Sequence, residues 1–180
     1  PGRIRGGKVN AVNIPFNDLD LKAAIEEKLN IPVKVSNDAN CAALGEAICG
    51  SGNAVKNLVM VSLGTGIGGG IIINNKIYEG MGSAGEIGHF SLDMNGRECP
   101  CGMKGCFEQY ASAAALVSSA EAAAVQNTES VLHKIYSDNG NKLDGKLFFK
   151  AFADGLCECG SCRAEYIKYL AVGLSGIVNI

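Results

Sequence analysis

Apolar and polar positions along the chain follow two periods in alternation. Leu21, Ala24, Ile25, Lys28 and Leu29 recur at helical spacing and predict a helix over about Leu19 to Leu29. Phe16-Asn17-Asp18 reads as the loop before it, and Lys8 to Pro15 is short and mixed. Asn30 stops the helix, Pro32 imposes extended geometry, and Val33 to Val35 reads as a short buried strand. Ser36 to Asn40 then opens an alanine-rich helix running to about Cys49. Asn57 to Leu63 predicts a strand, Gly64 to Gly70 a turn, Ile71 to Ile73 the returning strand, and Asn74-Asn75 a second hairpin turn. Phe107 to about Val125 reads as helix, Gln126 to Asp144 as a helix and loop excursion, and Ala164 to Ile180 as a last apolar helix packing on the sheet. Gly50-Ser51-Gly52-Asn53 is a hinge, which divides the chain into residues 1–50 and 51–180.

Composition narrows the function classes. With 180 residues, 47% of them hydrophobic, the chain can bury a core as one domain or two small ones. The formal charge of −2 comes without a basic tract, so nothing advertises nucleic acid or an anionic membrane. No segment reaches the roughly 18 uninterrupted apolar residues of a membrane span, and no basic and apolar leader precedes the first residues. The expected compartment is the cytoplasm.

The densest chemistry lies between Ser83 and Tyr110. His89, Cys99, Cys101 and Cys106 supply one imidazole and three thiolates within 18 residues, the ligand set of a closed tetrahedral zinc centre. Gly102 and Gly105 sit where the chain must turn around an ion, and the loop has too few apolar residues to form a core. A disulfide or free thiols are the alternatives, but Cys99 and Cys101 pair with each other only under strain, and other pairings leave His89 unexplained. A thiolate metal centre also favours a reducing compartment for a chain with eight cysteines. Cys157, Cys159 and Cys162 form a second cluster that could hold a metal, but no nearby histidine completes it, and ordinary or oxidisable thiols are the favoured reading. His133 has no metal-like partners and reads as a surface residue.

Other polar residues admit two readings each. Glu86 and Glu108 bracket the cysteine loop, and folding on zinc would fix both carboxylates near a common cavity, where they suit vicinal sugar hydroxyls. His89, bound through one nitrogen, would present its other N–H there. Taken singly, each glutamate reads first as a solvated charge, and Glu108 as a first-turn residue favoured by the helix dipole. Asp38 can accept a proton from an attacking hydroxyl and Asn37 can orient a ligand, yet both are preferred helix caps, worth roughly 1 kcal/mol in any protein. Gly64, Gly66, Gly68, Gly69 and Gly70 let backbone N–H groups converge on an anion, with Thr65 adding a hydroxyl. A glycine-rich hairpin without ligand is the equal alternative. The segment is neither a Walker loop nor a dinucleotide fingerprint, since no GK[ST] follows and a β-branched run replaces the helix.

Four motifs in order, SNDAN (Ser36 to Asn40), GTGIGGG (Gly64 to Gly70), AGEIGH (Ala84 to His89) and CPCGMKGCFEQY (Cys99 to Tyr110), resemble the ROK family of bacterial sugar kinases and sugar-responsive repressors. Weaker similarity runs from Pro1 and Gly2 to the final YLAVGLSGIVNI. The resemblance implies an α/β fold of the ribonuclease H-like, actin-like ATPase type, incomplete here. Residues 1–50 would belong to the sugar-binding lobe, and 51–180 to the lobe carrying the phosphate and zinc loops. It also implies transfer of the γ-phosphoryl of ATP, with Mg, to a hexose hydroxyl, as in the family's glucokinases. Asp38 would be the catalytic base. Asn37, Asp38, Glu86, His89 and Glu108 would meet the sugar, Gly64 to Gly70 the nucleotide phosphates, and zinc would be structural.

The N-terminal phosphate motif and C-terminal adenosine segment of such kinases have no counterpart here, so the chain reads as an internal fragment of a longer protein. A sugar-sensing repressor without kinase activity is the competing reading, and the only one that brings in nucleic acid. Asp38 and an intact GTGIGGG favour the kinase. Family members commonly form dimers or tetramers, which makes a homo-oligomer the expected assembly.

Overall fold

The computed structural model describes residues 3–5, 7–10, 18–155 and 157–179. Expectations for Pro1, Gly2, residues 11–17 and the Cys157 thiol lie outside the described residues. The chain forms two compact units, Pro1–Ser62 with Gly68–Ile87, and Leu63–Ile67 with Gly88–Ile180. The division expected near Gly50 therefore falls inside unit 1, where Gly50 serves as the C-cap of a helix.

In unit 1, β1 (Arg3–Arg5), β2 (Lys8–Asn10) and β3 (Leu19–Asp20) make an antiparallel sheet in that order. Asp20 then caps α1 (Leu21–Leu29), its carboxylate accepting from Ala23 N at 2.9 Å. Asn30 ends the helix in the left-handed region, φ 53°. Val33 to Val35 takes no regular secondary structure and is half-buried or exposed, which corrects the expected buried strand. Its backbone is tied instead by Val33 N donating to Glu26 Oε1 at 2.9 Å.

The second helix, α2 (Asp38–Cys49), starts where its polar cluster predicts. A sheet of β4 (Leu58–Leu63), β5 (Ile67–Ile73) and β6 (Lys76–Ile77) follows, in that order. The glycine turn is shorter than expected, since only 64–66 turn and Gly68, Gly69 and Gly70 lie within β5. The reason is packing. A Cβ at Gly70 would strike the Ala43 methyl and stand 2.9 Å from Ala39 O, and one at Gly69 would strike Ile87. Glycines at these positions let α2 and the Gly85 to Ile87 segment lie directly on the strand. Ala43 is fully buried by this contact.

Unit 2 is helical beyond the cysteine loop. The long helix expected from Phe107 breaks into α3 (Glu108–Ala111) and α4 (Ala113–Gln126). Ser112 makes the break: its backbone is extended and its hydroxyl accepts from Ala115 N at 3.1 Å, capping α4. Ala113 N donates to Gly64 O at 2.9 Å, which anchors that start.

Next come α5 (Val131–Asp138), α6 (Gly145–Ala153) and α7 (Cys157–Val178). The amphipathic run of α6 and the early start of α7 were not anticipated. Against expectation, α7 packs on α3, α4 and α6. Gly173 makes this close, since a Cβ there would enter the ring of fully buried Phe107. Leu116, Ala120, Ala124, Leu132, Phe148 and Cys159 build the unit's core, in which Cys159 is an apolar filler. Cys162 packs against the same core, its thiol reaching Ser119 O at 3.8 Å. His133 is half-buried rather than a surface residue, its Nδ1 lying 3.0 Å from Ala124 O. Among the described residues, no helix is long and apolar enough to cross a membrane.

Candidate functional site

In unit 1, one cavity of about 590 Å³ is lined by Asn37, Asp38, Asn40, Gly68, Gly69 and Glu86, among others. That size suits a small polar ligand. Helix geometry sets the first three. Asn37 is the N-cap of α2, its Oδ1 accepting from Ala39 N at 2.8 Å and Asn40 N at 3.2 Å. Capping is thus done by Asn37, and Asp38, exposed in the first turn, is not needed for it. Asp38 Oδ1 also accepts from Ala39 N at 2.9 Å, which fixes the carboxylate at the positive end of the helix.

The glycines divide by role. Gly69 and Gly70 are explained by close packing, while Gly68 and Gly69 also put bare backbone on the cavity wall beside Asp38. Gly64, Thr65 and Gly66 form the turn, in unit 2 except for its approaches. A Cβ at Gly66 would stand 2.6 Å from Glu108 Oε2, so glycine there lets that carboxylate come against the turn.

His89, Cys99, Cys101 and Cys106 come together in unit 2, with one ligand atom from each within 4.8 Å of all the others. Cys101 and Cys106 sulfurs are 3.6 Å apart and Cys99 Sγ is 3.7 Å from His89 Nδ1. Tetrahedral zinc with Zn–S near 2.3 Å needs sulfurs roughly 3.8 Å apart, so the donor set fits the ion in kind and spacing. The loop folds by bonding to itself. Leu92 N donates to Gly105 O at 2.8 Å, Gly105 N to Arg97 O at 2.7 Å and Cys99 N to Met103 O at 2.9 Å. Gly102 and Gly105 take φ of 90° and 73°, the left-handed geometry their sequence positions suggested.

The three thiols are perturbed unequally. Burial pushes the Cys99 thiol up and pushes Cys106 up to about 12, whereas the Met103 backbone N–H draws Cys101 down. Without metal, Cys99 and Cys106 therefore keep their protons, which a bound metal dication would have to displace. Glu108 completes the surroundings, its Oε1 3.7 Å from His89 Nδ1 and accepting from Cys99 Sγ at 3.4 Å. The sequence reading overlooked Gln109, whose amide donates toward Cys99 Sγ at 3.6 Å and Glu108 Oε1 at 3.4 Å. It also overlooked Tyr110, which accepts from Arg97 N at 2.7 Å and stacks on Tyr169 of α7. No local spacing rule marks either residue. Of the two glutamates expected to share one cavity, Glu86 belongs to unit 1 and Glu108 to unit 2.

The ROK family model matches residues 1–180. The chain belongs to the ROK family. Among ROK relatives, it is 47% identical over 170 residues to the xylose repressor of Bacillus subtilis, covering 93% of this chain and 40% of that protein. It is 44% identical over 173 residues to the glucokinase of Halalkalibacterium halodurans, covering 94% of this chain and 52% of that one. The chain thus spans about half the length of these curated relatives. A solved ROK glucokinase from Streptomyces griseus, in complex with glucose and AMPPNP, superposes with TM-score 0.80 at 35% identity, over 94% of this chain and 55% of that one. That likeness establishes the mixed α/β, actin-like ATPase fold of ROK sugar kinases, of which this chain is a part.

Proposed function

We propose that the whole protein is an ATP-dependent sugar kinase that phosphorylates a hexose hydroxyl. The observation that carries the reading is the unit 1 cavity, where Asp38, Asn37 and Glu86 meet beside the bare backbone of Gly68 and Gly69. In this reading Asn37 and Glu86 hold sugar hydroxyls and Asp38 accepts the proton of the attacking one. The sugar oxygen bonds to the γ-phosphorus as the bridging P–O bond to the β-phosphate breaks, and ADP leaves. Gly68 and Gly69 line the same cavity with bare backbone, which would face the phosphates, and bound Mg would offset their charge. The relative crystallised with glucose and AMPPNP supports this ligand pair.

His89, Cys99, Cys101 and Cys106 would hold a zinc ion, and their convergence on it would fix the 89–106 loop in unit 2. Four protein ligands leave no open position for substrate, which makes the role structural. His89 and Glu108 enter the reading through this cluster.

A second reading has its own support in the 47% identity to a xylose repressor: here the same cavity would bind sugar as a signal, without turnover. The test is phosphorylation of a hexose panel by the whole protein and by Asp38→Asn, with zinc quantified in both. Turnover that falls by about a hundredfold or more at unchanged zinc supports the kinase. Sugar binding without turnover on any sugar overturns it in favour of the repressor.

A further inference from the structure

We propose that Asn40 is a specificity-determining residue of the unit 1 cavity, its side-chain carbonyl accepting a hydrogen bond from one hydroxyl of the bound sugar. The inference rests on the sugar-binding reading above and adds a contact to it.

Among the described residues, Asn40 Oδ1 is the one buried side-chain oxygen or nitrogen without a hydrogen-bond partner. A carbonyl shut away from water and left unpaired is a standing cost, which is offset where a donor arrives with a ligand. The location supplies the ligand space. Asn40 lies in the first turn of α2, two residues after Asp38, and lines the same cavity.

Glycines border it on two sides. A Cβ at Gly85 would stand 3.4 Å from Asn40 Oδ1, and one at Gly70 would stand 3.4 Å from Asn40 Cα. The backbone N–H of Asn40 is already taken by Asn37 Oδ1 at 3.2 Å, so the side chain is not used for capping. The terminal torsion of an asparagine is broad, and a turn of the amide carries the oxygen from the wall toward the open space. A carboxamide oxygen there accepts from a hydroxyl in one direction. It therefore reads the presence of a donor at a single ring position, where a carboxylate such as Glu86 reads two neighbouring hydroxyls.

The experiment measures the affinity of the whole protein for glucose, and for its monodeoxy and deoxyfluoro analogues at each position, by calorimetry. Native protein, Asn40→Ala and Asn40→Asp are compared, with melting curves confirming fold. Asn40→Leu, of similar volume, replaces the alanine variant if truncation costs the fold. The expected result is one position at which both deoxy and fluoro analogues lose about tenfold in the native protein, fluorine being unable to donate. That loss shrinks to within about twofold in Asn40→Ala and returns in Asn40→Asp, while penalties elsewhere persist. Penalties that stay unchanged at every position in Asn40→Ala overturn the inference alone and assign the oxygen to a wall water. Failure of the native protein to bind any sugar overturns the cavity reading itself.

Discussion

In the cysteine cluster of unit 2, four ligand atoms crowd within 4.8 Å, whereas in unit 1 Asn37, Asp38 and Glu86 stand around about 590 Å³ of open space. The first arrangement concentrates groups that repel one another once ionised. The second is made by leaving side chains out, with glycines at 69, 70 and 85 allowing backbone to approach backbone. Convergence of like groups needs a counter-ion, and a cavity needs a stiff wall. The two regions should therefore fail under different insults.

Removing a metal ligand is the harshest test. Cys106→Ser is expected to abolish stoichiometric zinc and destabilise unit 2 by about 4 kcal/mol, as read by metal analysis and urea unfolding. Retained zinc with stability unchanged would break the contrast. Acidity should act on the same region. Cys99 is raised and Cys106 raised to about 12, so both hold protons at neutral pH without metal, and zinc must displace at least two. Apparent zinc affinity should then rise at least about a hundredfold per pH unit between pH 6 and 8, measured by competition with a chelator.

The sign reverses for the metal-free fold. Cys106, and with it Cys99, binds more protons there than in the unfolded chain between pH 9 and about 12, so their contribution to stability falls as pH rises through that window. Zinc-loaded protein should not show this loss.

The cavity should respond to bulk instead. Gly70→Val drives side-chain atoms into Ala43 and is expected to cost about 2 kcal/mol and weaken sugar binding, with zinc content unchanged. The smallest effect belongs to a residue serving neither region's chemistry. Ser112→Ala removes the α4 cap and should cost about 1 kcal/mol in thermal unfolding, leaving zinc and sugar binding as they were.

The clustering of His89, Cys99, Cys101 and Cys106 was legible in sequence because all four lie within 18 residues, so the loop brings them together with little help from distant parts. The start of α2 was legible for the same local reason, as Asn37 caps it two residues before Ala39. What escaped depends on partners remote in the chain. Gly68, Gly69 and Gly70 looked like a turn because their role is to admit Ala39, Ala43 and Ile87, which no window around them contains. Val33 to Val35 has strand composition but no ladder partner among the described residues. The break at Ser112 hides in a run of good helix formers, since a serine there reads as ordinary until Ala113 is seen bonded to Gly64. Asn40 was visible as a letter of SNDAN, but an unpaired oxygen is a property of its surroundings.

The crossing bonds of the cysteine loop, from Leu92 to Gly105, Arg97 to Gly105 and Cys99 to Met103, close the segment between His89 and Cys106 on itself. A segment built this way is a cassette for evolution. If it holds zinc as proposed, a change at any one ligand would leave a loop that holds no ion. Lineages should therefore keep the four ligands together or shed all of them, with few intermediates surviving.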